Sequence, residues 1–224
     1  MRTRIPVFVS AAAFLAAAVS TPRAEAQWTQ IWSDEFSSAP SSSNWNFETG
    51  GGGWGNNELQ YYRAENAWVS NCNLNIEARR QSFGGYAYTS ARLKTQGKRP
   101  FGPYGYMQAR IKAPTGKGYW PAFWMLGANI TSVPWPGCGE IDIMEHVNSD
   151  PNVLGTIHWA NPGYASYTAM NTPVTVSNWH TYAVNWTPSA ITWSVDGAAR
   201  GAANIAGNIN GTCLLYTSPS PRDS

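Results

Sequence analysis

The chain has 224 residues, of which 43% are hydrophobic and only 12% are charged, and its formal net charge is +2 at pH 7. Two terminal segments described below carry four of the 15 basic and two of the 13 acidic residues, which leaves 11 of each, and no net charge, in residues 27–212. This excludes the basic surface that nucleic acids and anionic membranes attract, so we expect an uncharged ligand.

The first 26 residues have the pattern of an export signal. Arg2 and Arg4 give a basic start, residues 5–19 form an apolar run, and Ala24 and Ala26 form a small-residue cleavage site. The apolar run is too short and too rich in alanine for a membrane span. We therefore predict a signal peptide at residues 1–26, a mature chain beginning at Gln27, and a secreted, extracellular protein with no membrane partner.

Residues 27–212 contain short segments rich in β-branched and aromatic residues, separated by Gly, Pro, Asn or Asp. No segment shows sustained helical periodicity. The spacing predicts a single all-β domain, an antiparallel sandwich or jelly roll. Asp196-Gly197 is a strong hairpin-turn signal. The predicted strands are residues 29–35, 67–70, 74–79, 87–94, 105–112, 118–126, 140–145, 153–159, 180–186 and 191–195.

The most informative of these segments is 140–145 (EIDIME), in which three acids stand in an otherwise apolar strand. Ionised carboxylates are rarely buried in a core strand unless a task requires them. Glu140 and Asp142 share one face of a regular strand, whereas Glu145 points to the other. A β-bulge at Ile143-Met144 would return Glu145 to the first face. Two carboxyl groups about 5 to 5.5 Å apart are the arrangement of retaining glycosidases.

A salt-bridged or metal-binding surface strand is the alternative reading of this segment. A calcium site favours oxygen ligands at close loop spacings, without apolar residues between the acids. A zinc site needs His or Cys ligands, and neither His146 nor His158 belongs to an HExxH pattern. We therefore predict a catalytic strand and no metal ligands there.

Tryptophan and cysteine add two further expectations. All 12 tryptophans lie between Trp28 and Trp193, more than one core easily buries, so some are expected to line a sugar-binding groove. Cys72 and Cys138 either pair or remain free thiols, and the sequence leaves both states open.

Six blocks of the sequence together resemble glycoside hydrolase family 16, in its laminarinase branch of endo-β-1,3-glucanases. The resemblance runs from about Gln27 to Thr212 and implies a β-jelly-roll sandwich with an open substrate groove across its concave sheet. The blocks are 32–36 (WSDEF), 55–60 (GNNELQ), 89–92 (TSAR), 104–112 (YGYMQARIK), 118–126 (GYWPAFWML) and 137–145 (GCGEIDIME).

By position, Glu140 resembles the family's nucleophile, Glu145 its general acid/base, and Asp142 the residue that supports the pair. The implied reaction is retaining hydrolysis through a glycosyl-enzyme, with no cofactor required. A structural calcium ion belongs to the expectations for intact family members.

The resemblance also implies contacts to sugar. Trp120 and Trp124, at i and i+4 of one predicted strand, resemble sugar-stacking residues, with core packing as the alternative. His158 is expected to face the groove near Glu145, or to be a hydrogen-bonded core histidine. Weaker candidates for hydrogen bonds to sugar hydroxyls, which otherwise fix loops, are Asn57, Glu58 and Arg92.

In the family that the sequence resembles, the six-residue form of the catalytic segment accompanies laminarinases, agarases and carrageenases. Sulfated galactans would favour a basic groove and this domain is neutral, so the resemblance implies β-1,3-glucan as substrate, with mixed-linkage glucan tolerated. We expect a monomer whose partner is a β-glucan polysaccharide. The alternatives are a non-catalytic β-glucan-binding protein, a transglycosylase, or another polysaccharide hydrolase on the same fold. The first alternative is disfavoured because its relatives lack one or both glutamates.

The C-terminal end departs from the family pattern. Members continue past the position of Thr212 with further strands, which are expected to be missing from this chain. Residues 213–224 match the translated end of a transposon-based sequencing adapter, so we predict adapter read-through in the gene. A Pro/Ser-rich linker is the alternative.

Overall fold

The computed structural model describes residues 28–205 and 217–222, in which nearly all regular structure is β-strand. The predicted signal peptide, together with residues 213–216 and 223–224 of the predicted read-through, lies outside the described residues. The one 3₁₀ turn among the described residues occupies Ala64–Asn66. No helix in the described ranges is long and apolar enough to cross a membrane.

Fifteen strands make up the described fold. In chain order they are β1 (Asn46–Phe47), β2 (Gln60–Tyr62), β3 (Ala67–Ser70), β4 (Asn73–Ile76), β5 (Tyr88–Ser90), β6 (Leu93–Lys94), β7 (Gly105–Ile111), β8 (Ala122–Gly127), β9 (Glu140–Glu145), β10 (Asn152–Asn161), β11 (Gly163–Pro173), β12 (His180–Trp186), β13 (Ala190–Val195), β14 (Ala198–Asn204) and β15 (Thr217–Arg222).

Two larger antiparallel sheets form the body of the domain. One has the strand order β11-β10-β9-β8-β15 and the other β14-β13-β12-β7, while β1-β6, β2-β5 and β3-β4 form small two-stranded sheets. The main hydrophobic core takes buried side chains from both larger sheets, such as Ile141 and Met144 on β9 and Val184 and Trp193 on β12 and β13. The two sheets therefore pack face to face, and the predicted all-β sandwich is confirmed.

Strand predictions succeeded where apolar and β-branched residues dominate. The predictions for 67–70, 140–145 and 180–186 match β3, β9 and β12. The strand predicted from residue 118 begins only at Ala122, directly after Pro121, and the one predicted at 87–94 is divided into β5 and β6. Both β11 and β14 were missed because their sequences, GYASYTAMNTP and AARGAAN, are mostly small or polar.

The strand predicted at residues 29–35 is wrong, because this segment has no regular structure from residue 28 onward. Its aromatic residues serve another purpose: Trp32 and Phe36 pack against a second buried cluster around Trp45. Asp34 accepts a hydrogen bond from the Trp45 indole at 2.8 Å. The aromatic residues of this segment thus anchor it to the domain by side-chain contacts. Their spacing resembles that of a strand, although the segment pairs with no strand among the described residues.

Residues 217–222 pair with β8 as the edge strand β15. Pro219 and Pro221 are compatible with this position, since proline is tolerated on edge strands. The adapter hypothesis concerns the origin of these residues and stays a prediction.

The predicted turn at Asp196-Gly197 is confirmed and joins β13 to β14. Both residues have positive φ, 51° and 76°, as a type I′ hairpin requires. Asp196 also holds β12, because its carboxylate accepts hydrogen bonds from His180 Nδ1 at 2.7 Å and from the Thr181 backbone N–H at 2.9 Å.

We expect Asp196→Asn to lower stability at neutral pH and to have no effect in strong acid. The hydrogen bond from His180, followed by that from the Thr181 backbone, lowers the pKa of Asp196. A lowered pKa in the folded state gives stability that is present above the unfolded pKa and is lost as pH falls through the folded pKa. Melting temperatures of both proteins between pH 2 and 7 should therefore converge in acid; a constant difference would contradict this origin.

Candidate active site

The three acids of β9 lie on one face because of a bulge. Asp142 pairs with Trp124 on β8 and with Thr156 on β10, whereas Glu145 pairs with Ala122 and Leu154. Three steps along β9 thus correspond to two on each neighbouring strand, with a register shift between the two pairs. The predicted bulge at Ile143-Met144 is confirmed.

The bulge separates polar from apolar side chains. Ile141, Ile143 and Met144 are fully buried in the core between the sheets. The acids face the other side, where each contacts a polar group described below. All three acids are largely shielded from solvent, with exposed fractions of 5% for Glu140, 1% for Asp142 and 8% for Glu145.

Each glutamate receives a hydrogen bond from its own indole. Trp135 Nε1 donates to Glu140 Oε2 at 2.6 Å, and Trp120 Nε1 donates to Glu145 Oε1 at 2.9 Å. Trp135 lies in the loop before β9 and is 47% exposed, and Trp120 lies in the segment before β8. Indole N–H groups only donate, so each fixes one carboxyl oxygen as an acceptor.

Asp142 is held from both sides of the sheet. His158 Nε2 lies 2.8 Å from its Oδ2 on the polar face. On the core side, Trp193 Nε1 of β13 donates to the Asp142 backbone carbonyl at 2.7 Å. This second bond gives the main chain at the bulge a partner from the opposite sheet, and buried carbonyls require such partners.

The predicted location of His158 near Glu145 is corrected by the register. His158 pairs with Glu140 on β9, while Leu154 lies opposite Glu145. The imidazole bonds Asp142 and, through Nδ1, the Tyr164 hydroxyl at 2.9 Å. This placement favours the hydrogen-bonded alternative over a direct sugar ligand.

Trp124 does not share a strand face with Trp120, since β8 begins after Trp120. Trp124 is 3% exposed, and the Arg92 guanidinium lies 4.8 Å from its ring centroid. Arg92 also lies over Trp54 at 5.1 Å and forms an ion pair with Glu48 at 2.5 Å. Packing between charged and aromatic neighbours is therefore the favoured role for both Trp124 and Arg92, which also line a small pocket.

Glu58 fixes the loop that contains Asn57. It is 7% exposed and accepts hydrogen bonds from Tyr62 Oη at 2.5 Å and from Gln60 Nε2 at 2.8 Å. Burial, and then the Glu58 carboxylate, raise the pKa of Tyr62. Asn57 itself is exposed, with a φ of 56°. The structure thus brings Trp120 and His158 to the acids and places Glu58 in an internal loop network.

Sequence reasoning missed Trp135 and Tyr164. Trp135 precedes the acids in a Val-Pro-Trp-Pro-Gly stretch, which signals only a loop. Tyr164 follows Asn161-Pro162-Gly163, a turn signal that would have revealed the β10–β11 hairpin.

The sequence also left open the pairing of the two cysteines and raised a metal site as an alternative. Cys72 is an exposed free thiol and Cys138 a buried one, so the two do not pair; burial raises the pKa of Cys138. Within residues 28–205, no three His, Cys, Asp or Glu side chains are grouped as a metal site would require.

Known proteins resemble this chain in both sequence and fold. Residues 54–205 match glycosyl hydrolases family 16. The chain is 45% identical over 181 residues to the Beta-glucanase of Rhodothermus marinus, an alignment that covers 75% of this chain and 63% of that protein. It is 44% identical over 191 residues to the Clotting factor G alpha subunit of Tachypleus tridentatus, covering 84% of this chain and 28% of that protein.

The fold agrees with a solved structure, the laminarinase catalytic domain from Thermotoga maritima, at a TM-score of 0.78 and 36% identity. That alignment covers 88% of this chain and 87% of the other. The chain spans less than two thirds of the length of either curated relative. The matched residues contain the bulged strand and its acids, so the resemblance recognised in the sequence is confirmed: the chain belongs to glycosyl hydrolases family 16.

Proposed function

We propose that this protein is an endo-acting β-1,3-glucanase that hydrolyses laminarin-like polysaccharide with retention of configuration. The observation that carries the proposal is the placement of Glu140 and Glu145 on one face of a bulged strand, each with its own indole donor. The names of the similar proteins, a beta-glucanase and a laminarinase, support the substrate class.

In the proposed reaction Glu140 attacks the anomeric carbon while Glu145 protonates the departing glycosidic oxygen. Glu145 then removes a proton from a water molecule as the water oxygen attacks the anomeric carbon; the bond from that carbon to Glu140 breaks, and the sugar leaves with both carboxyl groups regenerated. The indole hydrogen bonds to Glu140 and Glu145 would stabilise negative charge on both alike, as the imidazole of His158 would on Asp142. The different roles of the two glutamates are therefore proposed from their positions in the family's motif.

The hydrogen bond from the Trp120 indole indicates which oxygen of Glu145 carries the catalytic proton. Its N–H donates to Oε1, so that oxygen acts as an acceptor in both the acid and the carboxylate form. The proton transferred to the leaving group is therefore carried by Oε2. Trp120 orients the acid without competing for its proton.

Incubation with laminarin tests the proposal. We expect new reducing ends, a rapid fall in polymer length as endo cleavage demands, and the β-anomer as the first product seen by NMR. Lichenan should be a weaker substrate, and agarose and carrageenan should not react. The protein used in the assay should first be shown to be folded, by a cooperative unfolding transition on heating.

Three outcomes would contradict the proposal. The α-anomer as first product would exclude double displacement. Transfer to acceptor sugars without new reducing ends would indicate a transglycosylase. Binding of laminarin without turnover by a cooperatively folded protein would favour the non-catalytic alternative.

We also propose that the protein is exported, which the basic start and apolar run of residues 1–19 support. Detection of a mature N-terminus at Gln27 in the culture medium would agree with this, and retention of residues 1–26 would contradict it.

A further inference from the structure

One side chain outside β9 contacts the partners of both Glu140 and Asp142. Tyr164 lies near the start of β11, just after the turn that ends β10, and is 57% exposed. Its hydroxyl lies 2.9 Å from His158 Nδ1, and its ring centroid lies 5.2 Å from that of Trp135. Tyr164 therefore meets the imidazole that holds Asp142 and the indole that donates to Glu140.

The contacts of His158 favour one of the two tautomers of its neutral imidazole. Nε2 faces the Asp142 carboxylate at 2.8 Å, and a carboxylate oxygen accepts, so Nε2 carries a hydrogen. In neutral imidazole the other nitrogen is then an acceptor. The Tyr164 hydroxyl faces that nitrogen and donates to it. The two rings lie nearly parallel, at 19° and 5.8 Å, which keeps the hydroxyl in place.

The other tautomer would be unfavourable beside the acids. With the hydrogen on Nδ1, the Nε2 lone pair would point at the Asp142 carboxylate, and both would be acceptors. On β9, Asp142 bonds this imidazole and Glu140 is the backbone pairing partner of His158. On β11, Tyr164 supplies the titratable group, and the loop before β9 supplies the neutral Trp135.

We propose that Tyr164 is a positioning residue of the active site. Its hydroxyl fixes the Nε2-protonated tautomer of His158 and so the orientation of Asp142 between the two glutamates. Its ring supports the Trp135 indole that donates to Glu140. The catalytic consequence rests on the proposed function, whereas the tautomer does not.

Tyr164→Phe removes the hydroxyl and keeps the ring. We expect kcat on laminarin to fall by about tenfold, the size of one lost hydrogen bond in a charged network, with KM changed by less than about twofold. Tyr164→Leu also removes the ring support, so kcat should fall further and KM should rise. Tyr167→Phe is the matched control, since Tyr167 is another exposed tyrosine of β11 and should leave both constants unchanged.

A double-mutant cycle tests whether Tyr164 acts through His158. Once His158→Gln is present, adding Tyr164→Phe should change kcat by less than about twofold, because the shared contact is already gone. Full additivity of the two losses would overturn the proposed coupling.

The tautomer is measured directly by ¹⁵N NMR of the imidazole rings in the full chain, with His158→Gln assigning the signal among the three histidines. We expect protonated Nε2 and unprotonated Nδ1 in the parent, and a mixture of tautomers in Tyr164→Phe. An Nδ1-protonated parent, or an unchanged ratio in the variant, would overturn the proposal. If the spectra are as expected but the parent protein does not hydrolyse laminarin, the tautomer assignment stands and the proposed function is contradicted.

Discussion

Replacing Glu140 with Gly, or Glu145 with Ala, is expected to reduce laminarin hydrolysis by on the order of 10³-fold or more, since each change removes one of two groups that act as a unit. The two variants should differ on a β-1,3-linked disaccharide with an activated aryl leaving group. Such a group departs without protonation, so Glu145→Ala should still form the glycosyl-enzyme and then stall.

Added azide, a small external nucleophile, distinguishes the two variants by the face of the sugar that it attacks. In Glu145→Ala, azide should attack the glycosyl-enzyme in place of water and give the β-glycosyl azide. In Glu140→Gly, azide should fill the space of the missing nucleophile, displace the aryl group directly and give the α-glycosyl azide. Because the two products are anomers, NMR distinguishes them.

The matched control for both variants is Glu77→Gln. Glu77 is a surface glutamate whose partner is Arg79, and its loss should leave hydrolysis unchanged. If Glu140→Gly and Glu145→Ala gave the same azide anomer, or if either retained laminarin turnover, the assigned roles would be wrong.

Gly155→Ala is expected to destabilise the fold by about 2 kcal/mol, a fall in melting temperature of about 4 to 8 °C. Gly155 lies on β10 opposite the bulge, and a β-carbon there would lie under 3.0 Å from the Trp193 indole. Trp193 is fully buried and donates to the Asp142 carbonyl, so displacing it also disturbs the main chain of β9. We therefore expect kcat to fall together with stability.

Two further variants test this explanation by differential scanning calorimetry. Gly163→Ala places the same methyl group where no atom lies within 4 Å, and should change the melting temperature little. In a Trp193→Phe background the smaller ring should reduce the cost of Gly155→Ala. An equal cost in both backgrounds would show that the indole is not the obstacle.

The central strand and its bulge could be predicted from sequence because the spacing of Glu140, Asp142 and Glu145 allows few backbone conformations. Acids at odd spacing in a buried strand require either a charge in the core or a bulge, and the bulge costs less. Local pattern was sufficient there. It was also sufficient at Asp196-Gly197, where the backbone needs two positive φ angles.

Local pattern failed where distant segments decide the contacts. For Trp124 the sequence left sugar stacking and core packing open, and only the fold brings Arg92, from a separate strand connection, to 4.8 Å from its ring centroid. Trp135 and Tyr164 are 29 residues apart and meet only because β10 and β11 fold back beside β9. Strand periodicity contains no information on either contact.

The bulge has a consequence for the length of β9. Six residues of β9 occupy five positions of the ladder, and the surplus side chain enters the core beside its neighbour, with Ile143 and Met144 both fully buried. A strand lacking one of these two residues would present its acids by plain alternation on the same face. Gain or loss of one residue here therefore leaves the acids on the same face of the strand. It changes only the volume of side chain that the strand places in the core.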